Sequence, residues 1–416
     1  MAAESTTRSS RGYRTICLPI SEEAYAQIVD DPVAFRRTLD DCFQAVPELF
    51  PANSAHGYRL KDARFSAKQE TLIRRIVLRD GTASSIRPSF LMPSLTAHTE
   101  DVEGPLFRRK FGVPFWALAR VFGNDPMFWY RLECGLGRFR IVGTTVRQAE
   151  VPTHLLADEH HQPLDGQKRY IATTVGGGCC LGAEPADAAG TEELKTAYEV
   201  FQHEARNVAA AYAPKTVSTD GWKGTQAAWK ALFPKVVILL CFLHAWLKIR
   251  DRAKHLKEVF SEVSRRVWEA YHAPDRRRFA QRLRRLRQWA VRVLTGVVLE
   301  AVLDLCRKRP HLGVAYRHPD GHRTSNMLDR IMRAMNRYFD QGQHLHGSPA
   351  ACRLHSRAWA LLHNFTPWHP ATARRNQGWR SPAERLNQHR YHDCWLQNLL
   401  ISASLGGYRC PLPQKT

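Results

Sequence analysis

Three aspartates stand where side-chain chemistry is easily assembled. Asp158 ends the strand pattern in HLLADEHH, Asp220 ends that in KTVSTDGW, and Asp329 lies in RTSNMLDRIMRAM. Carboxylates are hard oxygen donors suited to Mg²⁺ or Mn²⁺, and a few of them meeting at strand ends hold two such ions about 3.5–4 Å apart. One ion of such a pair activates a water or hydroxyl, and the other stabilises the leaving oxygen of a phosphodiester. The first two aspartates are 62 residues apart and the last two 109. Each also has a plainer role. Asp158 can be a strand-end surface acid, Asp220 before Gly221 a turn former, and Asp329 a partner for Arg333 one helical turn on.

The surrounding patterns say how the three would be positioned. HLLADEHH, KRYIATTV and CCLGAEPA read as three strands, the last two joined through Gly176 to Gly178. A helix over about 190–210 follows, with Leu194, Ala197, Tyr198 and Phe201 at helical spacing. Next come the short strand ending at Asp220, a helix over about 223–232, and the apolar strand KVVILLCF. Strands alternate faces, so only one of Asp158 and Glu159 can enter a site. In the last helix Met327, Leu328, Ile331, Met332 and Met335 form a buried stripe, with Thr324 or Ser325 as cap. Asn326 and Asp329 share a flank of that stripe and can reach the mouth of a neighbouring sheet. This α/β order is that of a ribonuclease H-like sheet, although many α/β folds begin similarly.

Charge narrows the partner. The 416 residues carry 61 Lys+Arg against 39 Asp+Glu, a net +22. Such an excess suits a polyanion, most simply nucleic acid, since neutralising phosphates releases counterions. Ribosomal and membrane-surface proteins can share it. Residues 246–310 hold 18 Lys+Arg and 7 Asp+Glu, half the net charge in one helical block. Phe279, Leu283, Leu286, Ala290, Val293 and Val297 trace a core seam there, with Arg276, Arg277, Arg278, Arg284 and Arg285 off it, facing phosphate or simply solvent.

Residues 104–134 hold two helical patterns around a Gly-Asn-Asp-Pro turn, as in a helix-turn-helix unit or a plain helical hairpin. Phe107, Phe111, Trp116, Phe122, Phe128 and Trp129 are its expected core, leaving Arg108, Arg109, Lys110, Arg120 and Arg131 for phosphate or solvent. Helices are also expected within 15–78, after a polar tail to about residue 12. The ten cysteines form no CxxC pair and read as reduced thiols. The start has no apolar core for a signal peptide, and VVILLCFL is far too short to span a bilayer. A soluble chain, cytoplasmic and nucleoid-associated, with no membrane partner, is the expectation.

HLLADEHH, VSTDGWKGTQAAWKALFP, ILLCFLHAWLKIRDR and TSNMLDR, in this order over 152–366, resemble the blocks of DDE/D transposases, especially the Mutator-like group of bacterial insertion sequences. GWRSPAERLN, 378–387, is similar to a tail common to transposases and integrases. The resemblance implies a ribonuclease H-like core over 151–245 and 320–370, interrupted by an all-helical basic insertion over 246–319. An N-terminal helical DNA-binding region over 1–150 and a basic tail over 371–416 complete it. It further implies catalytic Asp158, Asp220 and Asp329 on two Mg²⁺ or Mn²⁺ ions, and double-stranded element-end and target DNA as partners. A homodimer or larger synaptic complex is implied as well.

Cys241 and His244 match the group's Cys-x-x-His element, which implies a supporting role; a buried Cys with a hydrogen-bonded His fits the residue types equally. Trp222 either stacks on a flipped base or fills the core, the latter slightly favoured. One departure concerns the third acid, more often Glu in an Asn-x-x-Glu pattern. Here Asn326 precedes Asp329, and Glu384 is the rival. A domesticated DNA-binding protein without cleavage, or a ribonuclease H-like nuclease without joining, are the alternative functions.

Overall fold

A computed structural model describes residues 14–409 apart from 94, 149, 165 and 342–346. The polar segment 1–12 and Cys410 lie outside the described residues. The chain is mixed α/β with two sheets.

The first sheet was not expected. It comprises β1 (Thr15–Leu18), β2 (Tyr58–Ser66), β3 (Thr71–Leu78) and β4 (Ala83–Pro88) in the order β1-β4-β3-β2. Two helices, Glu22–Ile28 and Pro32–Ala45, and two short 3-10 turns, Pro47–Leu49 and Ala52–His56, do lie in this region, but four strands accompany them, so the N-terminal region is not wholly helical. The reason is strand pairing. β2 carries Arg59, Lys61 and Arg64 and exposes most of one face, and at the edge of the sheet it pairs antiparallel with β3 across the short turn at 67–70.

Helices Thr99–Arg109, Phe115–Phe122 and Pro126–Leu136 follow. The Gly-Asn-Asp-Pro turn forms as read. Gly123 takes a left-handed φ of 76°, and the Asp125 carboxylate caps the third helix by accepting from Phe128 N at 2.9 Å. The expected aromatic core holds only in part. Trp129 is buried and Phe107, Phe122 and Phe128 pack against the core, whereas Phe111 and Trp116 project into solvent. Leu118 takes the inward position of the short second helix.

The second sheet carries the acids. β5 (His154–Leu164), β6 (Gln167–Gly176) and β7 (Cys179–Ala186) form an antiparallel meander; β8 (Thr216–Thr219) and β9 (Val237–Leu240) add in parallel. The order is β7-β6-β5-β8-β9. Helices cover both faces. Thr191–Val208 and Lys223–Leu232 pack with Leu155, Ala157 and Val217 on one side. Asn326–Gln341 and Pro349–Phe365 pack with Leu156, Ile171 and Val175 on the other.

From Phe242 to Arg317 the chain is helical and builds its own core around Phe242, Trp246, Val267, Phe279, Leu283 and Leu305. The seam of its Arg276–Val293 helix is buried at Phe279, Leu283, Leu286 and Ala290. Val293 and Val297 depart from the expected seam and are exposed, because the helix stops at Val293 and the next begins at Gly296.

The C-terminal segment is no basic tail. Trp395, Leu396, Leu399, Leu400 and Ile401 join the core shared with β1. The Ser404 hydroxyl accepts from Cys17 N at 3.1 Å and donates to Leu49 O at 2.6 Å. Arg409 is buried, donating to Gly143 O at 3.0 Å, Glu48 O at 2.9 Å and Ser402 O at 2.6 Å. Arg409 thus satisfies three backbone carbonyls from separate short helices. Among the described residues no helix is long and apolar enough to cross a membrane, and no disulfide joins the described cysteines.

Candidate functional site

β5 and β8 are parallel neighbours, with Leu156 opposite Ser218. Two residues further on stand Asp158, still within β5, and Asp220, the first residue past β8, so both leave the paired segment at neighbouring points of the sheet. Alternation puts Asp158 on the face of Leu156, the one covered by the Asn326–Gln341 helix. Glu159 faces the opposite layer, accepting from Tyr198 Oη at 2.6 Å and Thr225 Oγ1 at 2.7 Å. Only one of the two adjacent acids points toward Asp329's helix, as strand geometry requires.

Asp220 follows the last residue of β8, and Gly221 turns the chain after it with φ 104°, which a side chain would resist. Its Oδ1 accepts from Trp222 N at 2.8 Å, and Asp158 Oδ1 accepts from Glu159 N at 2.8 Å. Burial, then the negative charges of Asp220 and Glu159, push the Asp158 carboxyl up to about 7. Two facing carboxylates that resist joint ionisation fit a hard divalent cation, which removes that repulsion and accepts only oxygen donors of this kind.

The third acid arrives from the other side of the insertion. After β9, Cys241 N donates to Thr219 O at 2.9 Å, and Phe242 N donates to Arg323 O at 3.0 Å. These bonds pin the start of the Phe242–Ala253 helix between β8 and the approach to Asn326–Gln341. Hydrogen bonding to Cys241, and then the charges of Cys241, Asp158 and Asp220, raise His244 to about 9 against its burial. Burial raises the Cys241 thiol, but its hydrogen bonding with His244 and Ser325 outweighs burial and lowers the net value. Ser325 Oγ donates to Asp329 Oδ1 and Oδ2, at 3.0 and 3.1 Å. Asp329 thus joins the Cys241–His244 pair through one buried hydroxyl. The three aspartates do not all lie within one ion's sphere. Among the described residues, the only group of three ligand types that close is Glu22, His98 and Glu100, around the N-terminal sheet. Ligands divided between two ions sit further apart than ligands of one.

Other expectations resolve individually. Glu384 is buried away from β5 and β8, accepting from Arg380 N at 2.9 Å and facing Arg390 at 3.8 Å, and is no rival to Asp329. Asn326 is exposed at the first helical position. Trp222 does not fill the core. It is 52% exposed beside Asp220, its Nε1 donating to Ala189 O at 3.0 Å, while Trp229 takes the inward place one face away.

Arg109 faces no solvent either. It lies buried against Glu133 at 2.7 Å, with its guanidinium over the Phe115 and Tyr338 rings. Lys110 donates to Thr366 O at 2.9 Å, ending the Pro349–Phe365 helix, and burial lowers it to about 8. Arg108, Arg120 and Arg131 are exposed, as are Arg276, Arg277, Arg278, Arg284 and Arg285. Arg276, Arg277 and Arg309 line one surface groove of the insertion, and Arg284, Arg287 and Arg307 the adjoining one.

Sequence reasoning missed Ser325 as a partner of Asp329 and Glu159 as a buried acid. The first had a signal, a hydroxyl one helical turn before a carboxylate; the second had none, since its partners Tyr198 and Thr225 come from separate helices. No family model and no curated protein matches the chain.

Proposed function

We propose that the chain is a metal-dependent DNA transposase with a ribonuclease H-like core interrupted by a helical insertion. The observation that carries the reading is the placement of Asp158, within β5 where its pairing with β8 stops, beside Asp220, the first residue past β8, on the sheet whose β5 the helix of Asp329 contacts. The order β7-β6-β5-β8-β9, three antiparallel strands then two parallel ones, supports the core assignment. So does a helical block with its own core standing between β9 and the last acid.

Asp158, Asp220 and Asp329 would hold the cations, Mg²⁺ or Mn²⁺. A divalent ion at such a site supplies Lewis-acid polarisation of a phosphodiester and a nucleophile at neutral pH. The protein's own groups do the positioning. Gly221 fixes where Asp220 points, the Glu159 amide orients Asp158, and His244 offsets part of the carboxylate charge. Trp222, exposed beside Asp220, offers a ring on which an unpaired base at a DNA end can stack. The arginine face of the Arg276–Val293 helix and the exposed Arg120 and Arg131 meet phosphates and add affinity rather than sequence information. Two copies bound to two DNA ends complete the reading.

The test uses wild type and Asp220→Ala with labelled duplexes taken from the DNA flanking the coding region, plus supercoiled plasmid and Mg²⁺ or Mn²⁺. Metal-dependent cleavage and joined products from wild type alone are expected, with duplex binding preserved in the variant. Cleavage without joining would indicate a nuclease, and binding with no products from either protein a DNA-binding protein. Equal loss of fold and binding in Asp220→Ala would remove the residue from the chemistry.

A further inference from the structure

Asp329 is the acid whose position is least determined by the sheet. Asp158 sits within β5 and Asp220 directly follows β8, whereas Asp329 extends from a helix that reaches the site after a long helical excursion, and an aspartate has little reach. Something must hold its carboxylate. Ser325 is 3% exposed, and all the hydrogen-bonding capacity of its hydroxyl is directed inward. Oγ donates to both oxygens of Asp329, at 3.0 and 3.1 Å. It accepts from Cys241 Sγ at 3.3 Å, and His244 Nδ1 lies 3.5 Å away. Ser325 N donates back to Cys241 Sγ at 3.2 Å, and Asp329 N donates to Ser325 O at 2.8 Å.

A hydroxyl has one proton to give. With Cys241 Sγ donating to Oγ, that single proton is directed between the two oxygens of Asp329. Cys241 and Ser325 are 84 residues apart, so the contact joins the end of β9 to the Asp329 helix across the whole insertion.

We infer that Ser325, oriented by Cys241, is the positioning residue that presents Asp329 to a divalent cation. The inference rests on the proposed metal site. Outer groups that hydrogen-bond a ligating carboxylate typically change metal affinity about 10–100-fold.

The measurement is Mn²⁺ binding to the full chain by isothermal titration, without DNA, on wild type, Ser325→Ala, Ser325→Thr, Asp329→Ala and the Ser325→Ala/Asp329→Ala double variant. Thermal melting in EDTA serves as the fold control. Ser325→Ala is expected to weaken Mn²⁺ about tenfold or more with unchanged melting in EDTA, and Ser325→Thr, which keeps the hydroxyl, to recover most of it. In the Asp329→Ala background the Ser325 substitution should have no further effect. Should Ser325→Ala melt early, Cys241→Ala replaces it, with a smaller loss that also vanishes without Asp329. Wild-type affinity in Ser325→Ala, while Asp220→Ala loses Mn²⁺, overturns the inference alone. Undiminished Mn²⁺ binding in Asp220→Ala overturns the metal site itself.

Discussion

Replacing Asp158 by Asn removes one of two facing carboxylates and keeps the oxygen that accepts from Glu159 N. In the metal-free protein this substitution should stabilise the fold. The carboxyl is displaced from its ordinary 3.8 to about 7, by burial first and then by the charges of Asp220 and Glu159. His244 opposes them. A raised acid value means that the folded chain binds more protons than the unfolded chain between pH 4 and 7. Stability therefore falls as pH rises through that window.

At about 1.4 kcal/mol per pH unit, the penalty at pH 8 is on the order of 4 kcal/mol, and about 3 kcal/mol of it is absent at pH 5. Urea unfolding in EDTA at pH 5 and pH 8 measures it. Asp158→Asn should exceed wild type at pH 8, with an advantage about 3 kcal/mol smaller at pH 5. Added Mg²⁺ should stabilise wild type and leave the variant unchanged. A variant no more stable than wild type at pH 8, or two proteins with equal pH slopes, would refute the reasoning.

Glu133→Gln leaves the buried Arg109 guanidinium without its carboxylate and should cost about 3–5 kcal/mol in urea unfolding. Replacing Arg276, Arg277, Arg284 and Arg285 by Ala should leave melting unchanged and flatten the salt dependence of duplex binding by about 0.9 for each phosphate no longer neutralised. Arg109→Ala, by contrast, should lower the melting temperature. Trp222→Ala should alter stability by less than about 0.5 kcal/mol yet weaken binding of duplexes with unpaired ends by about 1–3 kcal/mol, read by fluorescence anisotropy.

What could be read in the sequence was local. The strand that stops just before Asp220, the helix over Leu194–Phe201 and the stripe of Leu328, Ile331 and Met335 all follow from periodicity within one element, whereas β5 runs past Asp158 to Leu164 instead of ending there. Residues whose environment is built by distant chain were misread. Arg109 and Lys110 sit in a run of three basic residues, yet tertiary packing sends one to Glu133 and the other to a helix end. Trp222 resembles a core tryptophan by type alone, and only the turn at Gly221 explains why it points outward. Ser325 belongs to both classes. Its spacing from Asp329 is visible, whereas the thiol that orients it comes from across the insertion.

The two bonds of Ser404, to Cys17 and Leu49, have a consequence for synthesis. Contacts spanning 387 and 355 residues cannot form until nearly all of this chain has left the ribosome. β1 must wait for its partners, and the face that will receive Leu396 and Leu399 stays open while the second sheet is still being made. Closing such long loops is slow, and apolar surface exposed meanwhile invites aggregation. A polypeptide stopped before Trp395 would display that face permanently. Such a fragment is more apt to be degraded than to persist, so the first sheet and its helices reach their packed state only after Ser404 has been made.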